Sequence, residues 1–329
     1  MFEEILPKLY RIEVPLPGSP LQATNSYVVK GAQRSLIIDT GWNHEVSREA
    51  FTSGLKALDV NLAEADILLT HMHADHSGLA LALAEDATKI YVGQADGATI
   101  VSSVAPGHWE KQTDFCGKHG FPLYQLDNAI GGHPARKYGS GADADFHILK
   151  DGDTISMGDY LLECIETPGH TSGHICLYEA NKKIFICGDH MLIDITPNIA
   201  VFSEERNALN EYLRSLDKVY DLDVDLVLPG HRSIFKNHKE RIRELKHHHQ
   251  VRLSEVISIL EQGEQDAFQV ASQMTWDIEF ESWELFPPSQ KWFAFGEAAA
   301  HLKYLEEEGK VGRKMKEQKV VFLPGASND

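Results

Sequence analysis

The sequence predicts an α/β sandwich, with sheets inside and helices outside, followed by a C-terminal helical domain. Three observations lead there. Short apolar runs alternate with stretches of helical spacing over roughly the first two thirds of the chain, as a layered α/β fold requires. Several of those apolar runs end in polar or glycine-bearing turns that carry histidine or aspartate. After Ser233 the composition shifts to long charged segments of helical character.

The elements follow in order. Residues 9–14 and 25–30 read as strands, separated by Pro15, Pro17, Gly18 and Pro20. Residues 35–39 form a short apolar run ending in Asp39-Thr40-Gly41. Residues 45–58 have helical spacing, with Val46, Ala50, Phe51, Leu55 and Leu58 expected on one side. The run Ile67-Leu68-Leu69 leads into Thr70-His71-Met72-His73-Ala74-Asp75-His76-Ser77-Gly78, after which residues 79–84 read as a helix. Residues 89–92 form another strand.

From about residue 94 to 146 the pattern loosens and mixes glycines with aromatics. This stretch is expected to be an inserted cap, with Trp109, Phe121 and Tyr138 as candidate substrate-lining residues. The same rings would serve equally well as a core for the cap itself. His108, His119 and His133 are expected to face solvent or to be hydrogen-bonded.

Strands at 154–156 and 160–166 lead to His170. A hairpin from 173–178 and 183–187 leads to Asp189, with His190 expected to point elsewhere. A helix at 208–220 and a strand at 225–228 lead to His231. The expected division is a catalytic domain over 1–235 and a second domain over 236–329. The second comprises a long helix at 236–262, helices at 268–276 and 292–308, and a hairpin at 310–323 around Arg313-Lys314-Met315-Lys316-Glu317. That order outlines a winged helix. Its third helix carries Glu306-Glu307-Glu308 where a nucleic-acid reader needs arginines, which favours packing or a homodimer over groove reading. Adjacent helix residues point about 100° apart, so His247-His248-His249 cannot close on one ion and are expected to be solvated.

Composition narrows the partners. Lys plus Arg is 31 and Asp plus Glu is 49, a formal charge of −18. Such a surface repels nucleic acid and anionic membranes at long range, so neither is an expected partner. Cys116, Cys164, Cys176 and Cys187 show no paired spacing and read as small buried hydrophobes of a cytoplasmic protein. The acidic start Met1-Phe2-Glu3-Glu4 has no signal-peptide character, and no apolar run is long enough to span a membrane.

The loop at 70–78 organises everything else. Residues two apart share a side of an extended chain, so His71 and His73 can grip one cation, while Asp75 and His76 can face another. With His170 in Thr167-Pro168-Gly169-His170-Thr171, Asp189 in Cys187-Gly188-Asp189-His190, and His231 in Leu228-Pro229-Gly230-His231, the pattern resembles the metallo-β-lactamase-fold hydrolase superfamily. Its HxHxDH motif is followed by a histidine, an aspartate and a last histidine. The resemblance covers about residues 9–231 and includes Asn25-Ser26-Tyr27-Val28-Val29 and Leu36-Ile37-Ile38-Asp39-Thr40-Gly41. The loop at 191–199 adds a weaker likeness to glyoxalase II-like hydrolases.

The resemblance implies a four-layer αββα fold and two zinc ions, with iron or manganese suited to the same donors. His71, His73 and His170 would hold the first ion and Asp75, His76 and His231 the second. Asp189 would bridge them, Asp39 would support the site from beneath, and Asp75 would double as the catalytic proton handler. The implied chemistry is attack by a metal-bound hydroxide. A small carbonyl substrate, whether thioester, ester or lactone, suits an acidic protein with an aromatic cap. The alternative is a phosphodiesterase or RNA endonuclease of the same fold.

Overall fold

The computed structural model describes residues 2–103, 105, 107–139, 145–277 and 281–325. Residues 104, 106 and 140–144 of the expected cap lie outside that set. The chain divides into two compact units. The first comprises Met1–Ala105, Pro134–Pro197 and Ser215–Ile242; the second comprises Pro106–His133, Asn198–Arg214 and Arg243–Asp329. The sequence suggests one cut after residue 235, but the units share the chain in alternating segments.

Two sheets make up the first unit. One contains β1 (Phe2–Leu6), β2 (Leu9–Pro15), β3 (Ala23–Lys30), β4 (Ser35–Ile38), β5 (Ala65–Leu68), β6 (Ile90–Gly93) and β7 (Phe146–Leu149), paired in chain order. The other contains β8 (Thr154–Met157), β9 (Tyr160–Glu166), β10 (Ile175–Glu179), β11 (Ile184–Gly188) and β12 (Leu226–Pro229), in the order β12-β11-β10-β9-β8. Strand β1 is not legible in the sequence because Glu3 and Glu4 interrupt its apolar run.

Side-chain alternation assigns the faces. Tyr27 and Val29 of β3, Leu36 and Ile38 of β4, and Leu68 of β5 join Leu162, Cys164, Leu177, Ile186 and Leu228 in the core between the sheets. Val28, Ile37 and Ile67, one residue out of phase, pack on the outer side with helical residues. All four cysteines are free and buried, as their apolar surroundings suggest.

The helices are α1 (Glu45–Ala57), α2 (Ala74–Ser77), α3 (Ala80–Leu83), α4 (Gln94–Ser102), α5 (His108–Lys118), α6 (Leu123–Gly131), α7 (Pro134–Tyr138), α8 (Ala208–Tyr220), α9 (His238–Leu260), α10 (Ala267–Gln273) and α11 (Pro288–Glu307). Phe51, Leu55 and Leu58 of the expected α1 face are buried, but Val46 is 46% exposed. At about 100° per residue it lies some 140° around the helix from Phe51. The stretch from 94 to 146 is largely helical where the sequence suggests loose structure.

The second unit has its own aromatic interior. Phe121 packs edge-on against Phe268, Trp292 and Phe295, and Phe202 stacks on Trp292 with ring centroids 4.5 Å apart. Asp266 and Gln269 form a capping box at the start of α10. A hairpin of β13 (Val311–Lys316) and β14 (Lys319–Pro324) turns at Glu317 and Gln318, both left-handed. The turn therefore lies at the far end of the run expected to surround it.

The triple histidine also departs from expectation. His247 is exposed, but His249 is 1% exposed and its Nδ1 lies 3.2 Å from His301 Nε2. Because His301 Nδ1 donates to the Glu297 carbonyl, its Nε2 accepts from His249. Adjacency alone could not show that one of the three faces inward.

Two stability outcomes follow. Phe51→Ala should destabilise the protein by about 3–5 kcal/mol through lost burial and a cavity, read from the shift in urea midpoint. His249→Ala should lower stability by about 1–3 kcal/mol by stranding His301, whereas His247→Ala should stay within about 0.5 kcal/mol.

Candidate metal centre

The ligand-bearing turns share one edge of the first unit. Strands β4 and β5 are parallel, as are β11 and β12, and β9 runs with β11 because both are antiparallel to β10. Asp39 follows β4, the 70–78 loop follows β5, His170 follows β9, Asp189 follows β11, and His231 follows β12. Stiff strands thus present the ligands from their C-terminal ends.

The 70–78 loop turns helical earlier than expected. Its His73 has extended dihedrals and α2 begins at Ala74, so Asp75 and His76 sit in a helical turn rather than before one. His71 Nε2 lies 3.1 Å and His170 Nε2 2.9 Å from His73 Nδ1. Nearby, His231 Nε2 lies 3.2 Å from His76 Nε2 and 3.3 Å from Asp75 Oδ2. Asp189 lies between the two groups. Its Oδ2 is 3.7 Å from His170 Nε2 and 3.5 Å from His231 Nε2, and its Oδ1 is 3.5 Å from His76 Nε2. His71, His73 and His170 form one group able to hold an ion, Asp75, His76 and His231 another, and Asp189 joins His71 and His76 in a third. All seven residues expected as ligands therefore converge.

Partners on the far side of each ring fix which nitrogen faces inward. His76 Nδ1 donates to Asp39 Oδ2 at 2.7 Å, and His231 Nδ1 donates to the Ala23 carbonyl at 2.7 Å. Thr70 Oγ1 donates to Asp39 Oδ2 at 2.7 Å, leaving its lone pairs to accept from His71 Nδ1 at 3.1 Å. In each of these rings it is the Nε2 that faces inward, where a cation would take its lone pair in place of a proton. Asp39 also accepts the Thr70 N–H at 2.8 Å and adopts a left-handed φ of 58°, which aspartate tolerates.

Charge and space fit a cation. Burial pushes the His73 imidazole down to about 3. Burial opposes charge on His231 too, but the Asp189 and Asp75 carboxylates outweigh it and raise that imidazole to about 10. At Asp75, burial favours the neutral acid, but contacts with His231 and His76 hold the carboxyl below its usual range. Asp189 Oδ1 is buried with no hydrogen-bond partner among the described residues. A Cβ on Gly230 would come within 2.5 Å of that oxygen and 2.6 Å of His76 Cε1, so glycine keeps the space clear. Buried imidazole nitrogens and carboxylate oxygens with open lone pairs are a zinc-type donor set.

The expected substrate contacts are dispersed by comparison. Tyr138 stacks on Trp42 with centroids 4.4 Å apart in the first unit. Trp109 packs edge-on to His133, and Phe121 is 3% exposed within the aromatic interior, both in the second unit. His119 is buried and 2.7 Å from Glu204 Oε1. His190 is buried outside the three metal-capable groups.

Sequence reasoning missed Thr70 and Asp96. Thr70 directly precedes the histidine loop, and a hydroxyl at a strand end was the available clue. Asp96, 1% exposed, carries no spacing that links it to the loops it touches.

Residues 20–231 match the Metallo-beta-lactamase superfamily domain. A beta-lactamase-like protein 2 homolog of Caenorhabditis elegans is 26% identical over 247 residues, covering 74% of this chain and 68% of that protein. An acyl-coenzyme A thioesterase of Bos taurus, MBLAC2, is 27% identical over 225 residues, covering 64% of this chain and 74% of its own. Among solved structures, a metallo-beta-lactamase family protein of Thermus thermophilus superposes with a TM-score of 0.82 at 28% identity, over 98% of this chain and 100% of that one. With the domain match spanning most of the chain, the protein belongs to the metallo-β-lactamase superfamily, and its αββα fold and hydrolase class follow from that membership.

Proposed function

We propose that the chain is a dinuclear zinc hydrolase of small carbonyl substrates, with an acyl thioester preferred over an ester or lactone. The observation that carries this reading is the set of seven converging ligands in a chain whose bovine relative is named an acyl-coenzyme A thioesterase. His71, His73 and His170 would hold one ion, Asp75, His76 and His231 the other, and Asp189 both. When bound, such a pair supplies Lewis acidity that lowers the pKa of water towards neutrality and polarises a carbonyl.

The chain's own residues set the rest. Asp39 and Thr70 hold His76 and His71 in the tautomers that present Nε2. Asp75 has a side chain 15% exposed, whereas His76 and His231 have none, so its carboxylate is the one of these three that incoming water meets. The Asp75 carboxylate would take the proton released as the water oxygen bonds to the carbonyl carbon. The carbon–sulfur bond then breaks, the sulfur leaves as thiolate and takes up a proton, and the products are a carboxylic acid and a thiol.

We read α9, α10, α11 and the β13–β14 hairpin as a winged-helix-like arrangement that packs or dimerises. Its order of helices and hairpin supports this reading, as does the pairing of its cations. Arg313 lies 2.6 Å from Glu204 and 2.8 Å from Glu306, and Lys314 and Lys316 both pair with Glu264. A hairpin neutralised in this way offers little to a phosphate backbone, so RNA cleavage remains the lesser alternative. Among the described residues, no helix is long and apolar enough to cross a membrane.

The deciding assay gives the zinc-loaded protein acyl-coenzyme A, a lactone, a β-lactam, bis-p-nitrophenyl phosphate and single-stranded RNA, with and without chelator. Chelator-sensitive thioester cleavage is expected to dominate; RNA cutting that falls steeply with salt would replace the proposal. Asp189→Ala should lose metal occupancy and at least about 100-fold in kcat/KM, and full activity in that variant would refute the bridging role. Asp39→Asn should weaken zinc binding by about 10–100-fold, measured by competition with a chromophoric chelator.

A further inference from the structure

We propose that Asp96 is a positioning residue that sets the affinity of the subsite formed by His71, His73 and His170. This rests on the metal reading above and is independent of the substrate. Asp96 stands in the first turn of α4, where the exposed backbone N–H groups favour an ionised carboxylate. Its two oxygens gather three donors. Met72 N–H reaches Oδ2 at 2.9 Å, Thr171 Oγ1 reaches the same oxygen at 2.5 Å, and Gly173 N–H reaches Oδ1 at 2.7 Å.

Those donors come from two loops far apart in the chain. Met72 lies between His71 and His73; Thr171 and Gly173 directly follow His170. One buried carboxylate is therefore the common anchor for both segments that deliver the three imidazoles. Close approach depends on Gly173, because a Cβ there would lie 2.4 Å from Asp96 N and 2.9 Å from Oδ1.

The other subsite is held differently. His76 leans on Asp39, His231 on the Ala23 carbonyl, and the Asp75 carbonyl accepts from Thr24 Oγ1 at 2.8 Å. Asp39 thus reaches one ring of each subsite, His76 directly and His71 through Thr70, whereas Asp96 ties together the two segments that deliver the first. Without the Asp96 tether, the His170 loop would have to be ordered by the ion itself, and that ordering cost would appear as lost affinity.

The test measures zinc affinity by competition with a chromophoric chelator in two backgrounds. His231→Ala leaves the first subsite intact, and His73→Ala leaves the second. Asp96→Asn keeps the size of the side chain but turns one acceptor into a donor that faces an N–H. It should weaken zinc binding by about 10–100-fold in the His231→Ala background and by less than about 3-fold in the His73→Ala background. Thr171→Val removes one donor without touching Asp96 and should weaken the same subsite by a smaller factor, which secures the test if Asp96→Asn fails to fold. Equal weakening in both backgrounds, or none in either, would overturn the proposal. Zinc-replete wild type that binds metal as expected but cleaves no thioester would strike only the substrate reading.

Discussion

The structure turns on imidazole nitrogens that meet in pairs, His73 with His71 and His170 at 3.1 and 2.9 Å and His76 with His231 at 3.2 Å, beside the carboxylates of Asp75 and Asp189. A neutral imidazole has one donor and one acceptor. Here one N–H of His71, His76 and His231 is committed on the far side, so a neutral ring brings its inward lone pair to the same small space, and the carboxylates hold a second proton on His231 there that a cation would displace. A cation resolves that convergence, and much of the first unit can be understood as scaffolding for it. Strands from two sheets stop along one edge, a left-handed aspartate turns the chain beneath the rings, and a glycine keeps clear the volume a methyl group would fill.

The strength of this arrangement lies behind the ligands as much as in them. Asp39 binds one ring of each group, His76 directly and His71 through Thr70. Asp96 acts on the backbone and a hydroxyl of two loops. These are different ways of restricting the same freedom: one fixes tautomer and ring angle, the other fixes where a loop lies. Both use buried carboxylates whose lone pairs are filled by neighbouring donors, the condition under which such burial is tolerable.

How much was readable beforehand depends on how tightly chemistry restricts residue type. Zinc-type donors at strand ends admit few side chains, so all seven candidate ligands stood out, and Asp39 came with the family resemblance. Strands such as β4, β10 and β11 did as well, because burial on both faces leaves continuous apolar runs, whereas β1 and the half-exposed β7 did not. Asp96 did not, since an aspartate in the first turn of a helix is common and nothing local reveals the loops above it. Val46 and His249 show the same limit from the other side: composition says that a helix forms, but the facing of one residue is set by what lies against it. Trp109, Phe121 and Tyr138 could not be sorted in advance because rings that line a pocket and rings that fill an interior look alike in sequence.

The alternating division of the chain affects how the protein can be cut. The aromatic interior of the second unit draws Phe115 and Phe121 from the stretch around α5 and α6 and Phe268, Trp292 and Phe295 from the C-terminal third. A recombinant fragment ending near residue 235 would keep every ligand yet leave those first rings bare to water. Such a piece would be sticky rather than minimal, and a sound trimming strategy would remove both stretches together or neither.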